Sequence, residues 1–266
     1  MIGKDLLSIK DFSKLTGIKQ TTLRYFDDMG LFSPAVRGEN SYRYYSPQQI
    51  ITINSINLLN ELDMPIKRIC EIERDRTPEN IYAVLGDKED ELQAEIHRLQ
   101  KSYNVITTLR KNIDEGLAAG NDQISIVKQD RQPIVIGDKN DFKGSTYFYD
   151  AFLTFCHDAP KKDIDLRLPV GGRFSDFSSF LNDGGRPATF FSVDPDGKDE
   201  IPAGKYLVGY ARGYYGETAG LPERLDAYIR ENNIETDGEL YVIYLLDELS
   251  IHEKDNYLFK ASVKIK

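Results

Sequence analysis

Apolar side chains recur every seven residues through the middle of this chain, and this repeat constrains the fold more than any other feature of the sequence. The repeat positions are Leu85, Leu92, Leu99, Ile106 and Ile113, and the alternate positions hold Ile96, Tyr103 and Leu117, with Glu89 and Arg110 as polar exceptions. A heptad pattern over about 32 residues predicts a helix roughly 45 Å long. We therefore predict a two-stranded, antiparallel coiled coil over residues 77–120 that makes the protein a homodimer. The alternative is one long amphipathic helix that packs on its own chain.

Two short helical patterns precede this repeat, and a glycine separates them. The first covers residues 9–15 and stops at Gly17, and the second covers residues 21–29 and turns Leu23 and Phe26 inward. Two short helices around a glycine-containing turn are typical of a helix-turn-helix. The arrangement leaves the intervening Arg-Tyr pair on the outer face of the second helix.

A turn-rich segment and two further helices complete this N-terminal part. The run SPAVRGENSYRYY, residues 33–45, combines turn residues with an alternating Tyr-Arg-Tyr triplet, which predicts a β-hairpin, or wing. The run SPQQ, residues 46–49, supplies the Ser, Pro and Gln of a capping box, so a helix begins there, and another opens at Pro65. We assign residues 1–76 to a winged helix-turn-helix domain, called the head below.

After about residue 121 the sequence changes to short β-rich runs separated by helical stretches such as LPERLDAYIREN. This part holds 20 of the 29 Phe and Tyr residues, so it has either an aromatic core or an aromatic surface. The chain is predicted to have an α+β fold that consists of the head, the coiled-coil helix and a C-terminal α/β domain over residues 121–266.

The charge of the chain is divided unevenly between these parts. The formal net charge is −9, yet residues 1–60 carry a net +2 and the remainder carries −11. A weakly basic head on an acidic body can bind DNA, because charges beyond a Debye length of about 8 Å are screened. Cys70 and Cys156 lack partners at metal-ligand spacing, and no apolar run approaches the ~18 residues of a membrane span. We therefore expect a cytoplasmic protein with no metal, no cofactor and no membrane partner.

The head resembles the MerR family of bacterial transcription regulators from Leu7 to about Ile72. The segments TLRYF, GLFSP and RGENSYRYY occur in the order and spacing typical of the family. Phe26 replaces the second Tyr of the usual RYY triplet, and Ser41 replaces the usual wing glycine. The resemblance implies that the second helix lies in the major groove and that the wing reaches flanking phosphates. The residues it assigns to DNA contact are Lys19, Thr21, Thr22, Arg24, Tyr25, Tyr42, Arg43, Lys67 and Arg68.

The same resemblance implies how the protein acts. Members of the family are homodimers that bind a pseudo-palindrome in double-stranded DNA between promoter elements set too far apart. The effector-bound dimer bends and untwists that spacer so that RNA polymerase engages both elements. We therefore expect a transcription activator rather than an enzyme.

Residues 123–266 resemble, more loosely, the GyrI-like ligand-binding domain of BmrR-like multidrug sensors. The segments that carry this resemblance are IPAGKY, RGYYGE, LPERLDAYI and GELYVIYL. The implied effector is a small, lipophilic, aromatic molecule. Candidate ligand contacts, from the resemblance and from strand alternation, are Tyr147, Tyr149, Tyr206, Val208, Tyr210, Tyr214, Val242, Tyr244 and Tyr257. The alternative for each of them is a place in the hydrophobic core.

Val242 bears on the charge of that effector. Related sensors place a glutamate at this position of GELYVIYL, where it faces a cationic drug across aromatic rings. Without that carboxylate we expect neutral lipophilic compounds to bind at least as well as matched cations. The exception would be a substitute carboxylate from another element, such as Asp150, Asp176 or Glu217.

Two other functions compete with this interpretation. A GyrI-like hydrolase of a small electrophilic toxin, fused to a DNA-binding domain, would need a carboxylate beside aromatic rings to activate water, and Glu217 and Glu239 are the candidates. An interaction protein that uses its coil alone would leave Arg24 and the wing without a role.

Overall fold

The computed structural model describes residues 6–38, 41–120, 123–142 and 148–266. The chain divides into two compact units, Met1–Glu95 and Ile96–Lys266, and the long central helix crosses the division. Each unit has hydrophobic clusters of its own. Tyr147, one of the predicted ligand contacts, lies outside the described residues.

The first unit opens with a two-residue strand and two helices. Strand β1 is Leu7–Ser8, helix α1 is Ile9–Thr16 and helix α2 is Gln20–Asp28. Ser8 caps α1 by accepting a hydrogen bond from the Asp11 N–H at 3.2 Å. Gly17 ends the helix with φ = 73°, a left-handed conformation that glycine adopts readily. The predicted helix-turn-helix is therefore confirmed.

A β-hairpin and two more helices follow α2. Strands β2, Val36–Arg37, and β3, Arg43–Tyr45, pair antiparallel, and β1 pairs with the other edge of β3. Helix α3 is Gln49–Glu61 and helix α4 is Ile66–Arg74. The predicted wing is therefore present. Ser41 has φ = 60°, which explains physically why a glycine suits this position.

One apolar cluster holds these elements together. The rings of Phe12, Phe32 and Tyr45 stack with centroids 4.6 to 6.0 Å apart. Leu23 and Phe26 of α2 are 0% and 1% exposed in the same cluster, so both face inward as predicted. The apolar side of α2 thereby fixes the helix to the head, and its other side is left for solvent or a partner.

Helix α5, Pro78–Ala118, is 41 residues long and contains the whole heptad repeat. Most repeat and alternate side chains are exposed, from 42% at Leu85 to 74% at Leu117. We call this row of side chains, from Leu85 to Leu117, the exposed stripe. An apolar stripe of this length on a single chain favours the dimeric coil over packing within the chain. The homodimer and the coil limits at 77 and 120 stay predictions.

The second unit is built on an antiparallel sheet. Its strands are β4 Ile124–Gln129, β5 Gln132–Lys139, β6 Val170–Phe174, β7 Thr189–Ser192, β8 Asp199–Ile201, β9 Gly204–Arg212, β10 Thr236–Leu246 and β11 Leu258–Ile265. Their order in the sheet is β4-β9-β11-β10-β6-β7-β5-β8. Helices α6, α7 and α8 are Phe148–Asp158, Phe177–Asp183 and Leu221–Glu231. Helices combined with an antiparallel sheet confirm the α+β class.

The two faces of this sheet have separate cores. Along β9, Tyr206, Val208 and Tyr210 pack on one face, and Leu207 and Ala211 pack on the other. Val242 and Tyr244 of β10 belong to the second of these faces. Because strand side chains alternate, this assignment decides which predicted ligand contacts can share one site.

Candidate nucleic-acid interface and aromatic cavity

The outer face of α2 presents the predicted DNA-contact residues of that helix. Arg24 is exposed and Tyr25 is 49% exposed, beside side chains that are buried in the head core. At the start of the helix, Lys19 and Thr21 are exposed and Thr22 is half-buried. Lysine, threonine and helix N-terminal N–H groups suit phosphate oxygens, and an arginine fork suits a base edge or a phosphate.

Arg43 of the wing does not present a free guanidinium. Its Nε donates to Asp27 Oδ2 at 2.6 Å and its Nη2 donates to Asp28 Oδ1 at 3.1 Å. The side chain is 21% exposed. The buried carboxylate of Asp27 requires a cation beside it, so Arg43 anchors the wing to α2. Its contact with a phosphate stays a prediction.

Asp27 connects α2 to both strands of the wing. Its side chain is fully buried, and Arg37 Nη2 donates to its two oxygens at 2.8 and 2.7 Å. Arg37 and Arg43 lie opposite each other across the hairpin, where two like charges would repel without an anion between them. Burial alone would raise the pKa of Asp27, but hydrogen bonds from Arg43 and Ser33 and the two arginine charges hold it below its usual value. We call these three side chains, Asp27, Arg37 and Arg43, the Asp27 clamp. Composition and spacing do not reveal it.

The remaining predicted DNA contacts of the head lie at its surface. Tyr42 is 43% exposed, with its ring centroid 5.4 Å from that of Tyr44. Lys67 and Arg68 are exposed in the first turn of α4. Arg68 Nη1 lies 3.1 Å from Glu71 Oε2. An exposed pair of this kind is weak, so Arg68 can exchange it for a phosphate.

A cavity of about 690 Å³ opens in the second unit. Its walls include residues of α5 and α6, strands β6 and β10, and the loops that follow β9 and β10. Four predicted ligand contacts line it, namely Tyr149, Tyr214, Val242 and Tyr244. The expectation that Val242 and Tyr244 share a face of β10 is confirmed. The volume is in the range of sites for drug-sized molecules.

Aromatic rings form much of the cavity wall. The Tyr215 centroid lies 4.5 Å from that of Tyr244 and 5.3 Å from that of Tyr214, and Phe148 stacks on Tyr215 at 6.5 Å. The Tyr244 hydroxyl donates to the Tyr214 carbonyl at 2.8 Å, and the Tyr215 hydroxyl donates to Glu248. Burial raises the pKa of both phenols, so Tyr215 and Tyr244 stay neutral at physiological pH. Such a wall offers ring faces and edges to an aromatic ligand.

Four of the predicted ligand contacts lie elsewhere. Tyr206, Val208 and Tyr210 pack in the core on the opposite face of the sheet, where the Tyr206 hydroxyl donates to the Pro202 carbonyl at 2.7 Å. On β9 the residues of the cavity face are small or aliphatic, so the tyrosines of that strand cannot reach the cavity. Tyr257 is buried behind the wall, with its centroid 5.8 Å from those of Tyr214 and Tyr215. These assignments are corrected to core and supporting positions.

Three carboxylates border the cavity although Val242 supplies none. They are Glu217, Asp247 and Glu248. Glu217 Oε2 accepts the Tyr214 N–H at 2.9 Å. Burial, and to a lesser extent the charge of Glu248, raises the pKa of Asp247. Arg167 also lines the cavity, with its guanidinium paired to Asp165 at 2.6 Å, so the cavity is aromatic with a charged, mainly acidic border.

Glu217 is the one substitute carboxylate considered from the sequence that lies at this cavity. Asp150 borders a smaller cavity of about 180 Å³. Asp176 caps α7 by accepting the Ser179 N–H at 2.7 Å. The acidic pair Asp247 and Glu248 directly follows the last strand residue of GELYVIYLL. In the sequence, these two residues could have been found as an acidic pair directly after a predicted strand.

Glu239, the second candidate base for a hydrolase, is engaged away from the cavity. Its Oε1 accepts from Arg173 Nη1 at 2.8 Å and its Oε2 accepts from the Tyr241 hydroxyl at 2.6 Å. Both oxygens are thus occupied, so Glu239 is not placed to activate water beside the cavity rings. Of the two candidate bases, Glu217 borders the cavity, so the hydrolase alternative depends on Glu217.

Neither a metal-binding cluster nor a membrane-spanning helix occurs among the described residues. Within them, no group of three or more His, Cys, Asp or Glu side chains is placed to hold a metal ion. Cys70 and Cys156 are free thiols, and burial raises the pKa of Cys156. Over the same ranges, no helix combines the length and apolarity that a membrane crossing requires.

Comparison with known proteins identifies relatives of both units. Residues 7–75 match the model of the MerR HTH family regulatory proteins. The chain is 28% identical to the multidrug-efflux transporter 2 regulator of Bacillus subtilis, over 99% of this chain and 97% of that protein. The multidrug-efflux transporter 1 regulator of the same organism is 29% identical over 40% of this chain and 38% of its own length. An EcmrR–DNA complex solved by cryo-EM covers 98% of this chain and 99% of that chain, with 15% identity and a TM-score of 0.41.

The family match and the geometry of the head agree. The matched residues span the strand, helices and wing described above, from β1 to the end of α4. They also contain the outward Arg24 and Tyr25 and the Asp27 clamp. Residues 7–75 therefore form a MerR-type helix-turn-helix domain, and the whole chain is similar in length and sequence to one multidrug-efflux transporter regulator.

Proposed function

We propose that the protein is a ligand-responsive transcription activator that binds promoter DNA as a homodimer. The observation that carries the proposal is the presence in one chain of a MerR helix-turn-helix domain and an aromatic cavity of about 690 Å³. The whole-length similarity to a protein named as a multidrug-efflux transporter regulator supports a role in sensing lipophilic compounds.

The head would bind DNA through α2 and the surface around the wing. Arg24 is suited to a base edge or a phosphate, and Tyr25 can donate to a phosphate oxygen. Tyr42, Lys67 and Arg68 are exposed for flanking phosphates. Two heads related by a twofold axis read a pseudo-palindrome, as is usual for dimeric helix-turn-helix proteins.

The exposed stripe of α5 would supply the dimer contact. Its occupant is a second copy of this chain, because the heptad spacing from Leu85 to Leu117 is self-complementary. The effector-bound dimer would bend and untwist an over-long promoter spacer, so that RNA polymerase engages both promoter elements. Such a mechanism depends on DNA deformation more than on tighter binding.

Residues 121–266 would form a GyrI-like effector domain. A small aromatic molecule can lie against Phe148, Tyr215 and Tyr244, and burial of apolar area would supply most of the affinity. Glu217 and Glu248 at the border favour a positive charge on that molecule. With Glu217 as the substitute carboxylate, the exception to the expectation drawn from Val242 applies, and cations should bind better than matched neutral compounds.

Selection from random-sequence DNA tests the proposal. The full-length protein should enrich pseudo-palindromic fragments, and the Arg24→Ala variant, with its fold unchanged, should fail to enrich them. If the wild-type protein enriches no sequence over bulk DNA at moderate salt, the proposed function is wrong.

A further inference from the structure

Helix α5 carries a second face beside the exposed stripe. Val105, Leu109, Asn112 and Gly116 follow the i, i+4, i+7, i+11 spacing of one helix face. Val105 and Leu109 line the aromatic cavity. Ile106, the next residue after Val105, belongs to the exposed stripe and is 57% exposed. One short length of helix therefore presents one face to the cavity and the adjacent face to the surface.

The end of this helix is fixed to the sheet. Glu115 accepts from Lys260 Nζ with both carboxylate oxygens at 2.8 Å. Asn112 Nδ2 donates to the carbonyl of Tyr244, a cavity residue, at 3.4 Å. A Cβ at Gly116 would lie 2.7 Å from a side-chain carbon of β10, so the helix and strand approach closely there. The last turns of α5 are therefore held against the strands that form the cavity, with no flexible linker between them.

We propose that Val105 and Leu109 contact the bound effector, so that α5 is itself a wall of the effector site and responds directly to its occupancy. The inference rests on the proposed function of the cavity. Because α5 is one uninterrupted helix, an occupant that displaces Val105 also displaces Ile106 and the part of the exposed stripe that precedes Asn112. The turn at Asn112 and Glu115 is held against the sheet, so the helix would pivot about this turn. The effector signal then reaches the predicted dimer contact without an intermediate element.

Hydrogen exchange on the full-length protein tests the contact. The probe is N-methylacridinium, a flat aromatic cation, with neutral acridine as its matched partner. Both should slow amide exchange in residues 101–112 of α5 as well as in the loops that follow β9 and β10. Protection of those loops without any change in α5 would overturn the inference and leave the effector cavity intact. Absence of protection everywhere with both probes would overturn the proposed cavity and this inference together.

A variant pair tests the consequence. Val105→Ala combined with Leu109→Ala removes the helix contacts. Thr107→Ala combined with Lys111→Ala has the same spacing on α5 but removes two side chains that neither line the cavity nor belong to the exposed stripe. Transcription from a promoter that contains the selected operator is measured with and without N-methylacridinium. We expect the Val105/Leu109 variant to lose at least about fivefold of the probe-induced activation at saturating probe, the lower end of typical coupling, while the Thr107/Lys111 variant keeps it. Equal activation in both variants would contradict a direct role of α5.

Discussion

In the head, the side chains proposed to meet DNA point outward from a filled core, whereas in the Ile96–Lys266 unit the side chains proposed to meet the effector point into a space that the core leaves empty. The two arrangements depend on different physics. An outward helix face needs anchoring from behind, which Leu23, Phe26 and Asp27 provide. A cavity needs walls stiff enough to stay open, which contacts between aromatic rings and the Tyr244–Tyr214 hydrogen bond provide. The comparison predicts that substitutions act on DNA binding and on effector binding separately.

The largest effect is expected on the exposed stripe of α5. Leu92→Asp combined with Leu99→Asp places two charges in the predicted dimer contact, at a cost of several kcal/mol if they are unpaired. Light scattering should report monomers. Gln93→Asp with Gln100→Asp, the same spacing one position along the helix, is the matched control and should remain dimeric. A stable dimer of the leucine variant would show that the stripe is not the interface.

The second-largest effect is expected at the Asp27 clamp behind α2. Asp27→Asn leaves Arg37 and Arg43 facing each other without an anion, and loss of such a buried partner costs about 3 kcal/mol of folding stability. Asp28→Asn is the control, because the Asp28 side chain is 69% exposed and its pair with Arg43 is worth about 0.5 kcal/mol or less. Denaturant unfolding of the two variants should therefore differ clearly. Similar unfolding midpoints would show that the clamp does not hold the wing.

The same carboxylate predicts a pH dependence. The folded-state pKa of Asp27 is lowered, so its contribution to stability is present above the unfolded-state pKa and is lost as pH falls through the folded-state pKa. The wild-type protein should lose this part of its stability on acidification, and Asp27→Asn should show a flatter profile in that range. A parallel loss in both proteins would assign the acid sensitivity to other groups.

The outward face of α2 should affect DNA alone. Arg24→Ala should cost about 1 to 3 kcal/mol in operator affinity, the usual size of one good contact, because its exposed side chain adds little to the core. The dimer and the affinity for N-methylacridinium should not change. A gel shift with unchanged affinity at two salt concentrations would refute the assignment of Arg24 to DNA.

The acidic border of the cavity should produce the smallest effect, and it should affect the effector alone. Glu217→Gln with Glu248→Gln should weaken N-methylacridinium by about 1 kcal/mol and leave neutral acridine unchanged, because exposed charges are screened. Val242→Glu, which restores the position used by related sensors, should strengthen the preference for the cation. Calorimetry on the matched probes measures both. An equal loss for the two probes would show that the glutamates shape the cavity and do not select charge.

The sequence predicts the head better than the cavity for a physical reason. Helix faces follow a local period, so the inward Leu23 and Phe26 and the outward Arg24 could be read from spacing alone. The Asp27 clamp could not, because it joins residues on three elements that meet only in the folded chain. The spacing therefore did not reveal that Arg43 anchors the wing to α2.

The same limit applies more strongly to the second unit. Strand alternation pairs Val242 with Tyr244 correctly, but it does not tell which face of the sheet borders the cavity, and Tyr206 and Tyr210 fall on the opposite face. The contribution of α5 was also hidden, because the stronger heptad signal masks the second face that contains Val105. The position of a cavity depends on how the helices and strands pack in the folded chain, and a local sequence pattern does not contain that information.

The central claim is that one chain couples an aromatic cavity to a DNA-binding head. The most direct test is transcription in vitro from a promoter with the selected operator between its two elements, measured with and without N-methylacridinium. The account predicts that the wild-type protein activates this promoter when the probe is present, and that Arg24→Ala abolishes the activation while probe binding persists. Transcription that does not change with the probe, although the protein binds both operator and probe, would contradict it.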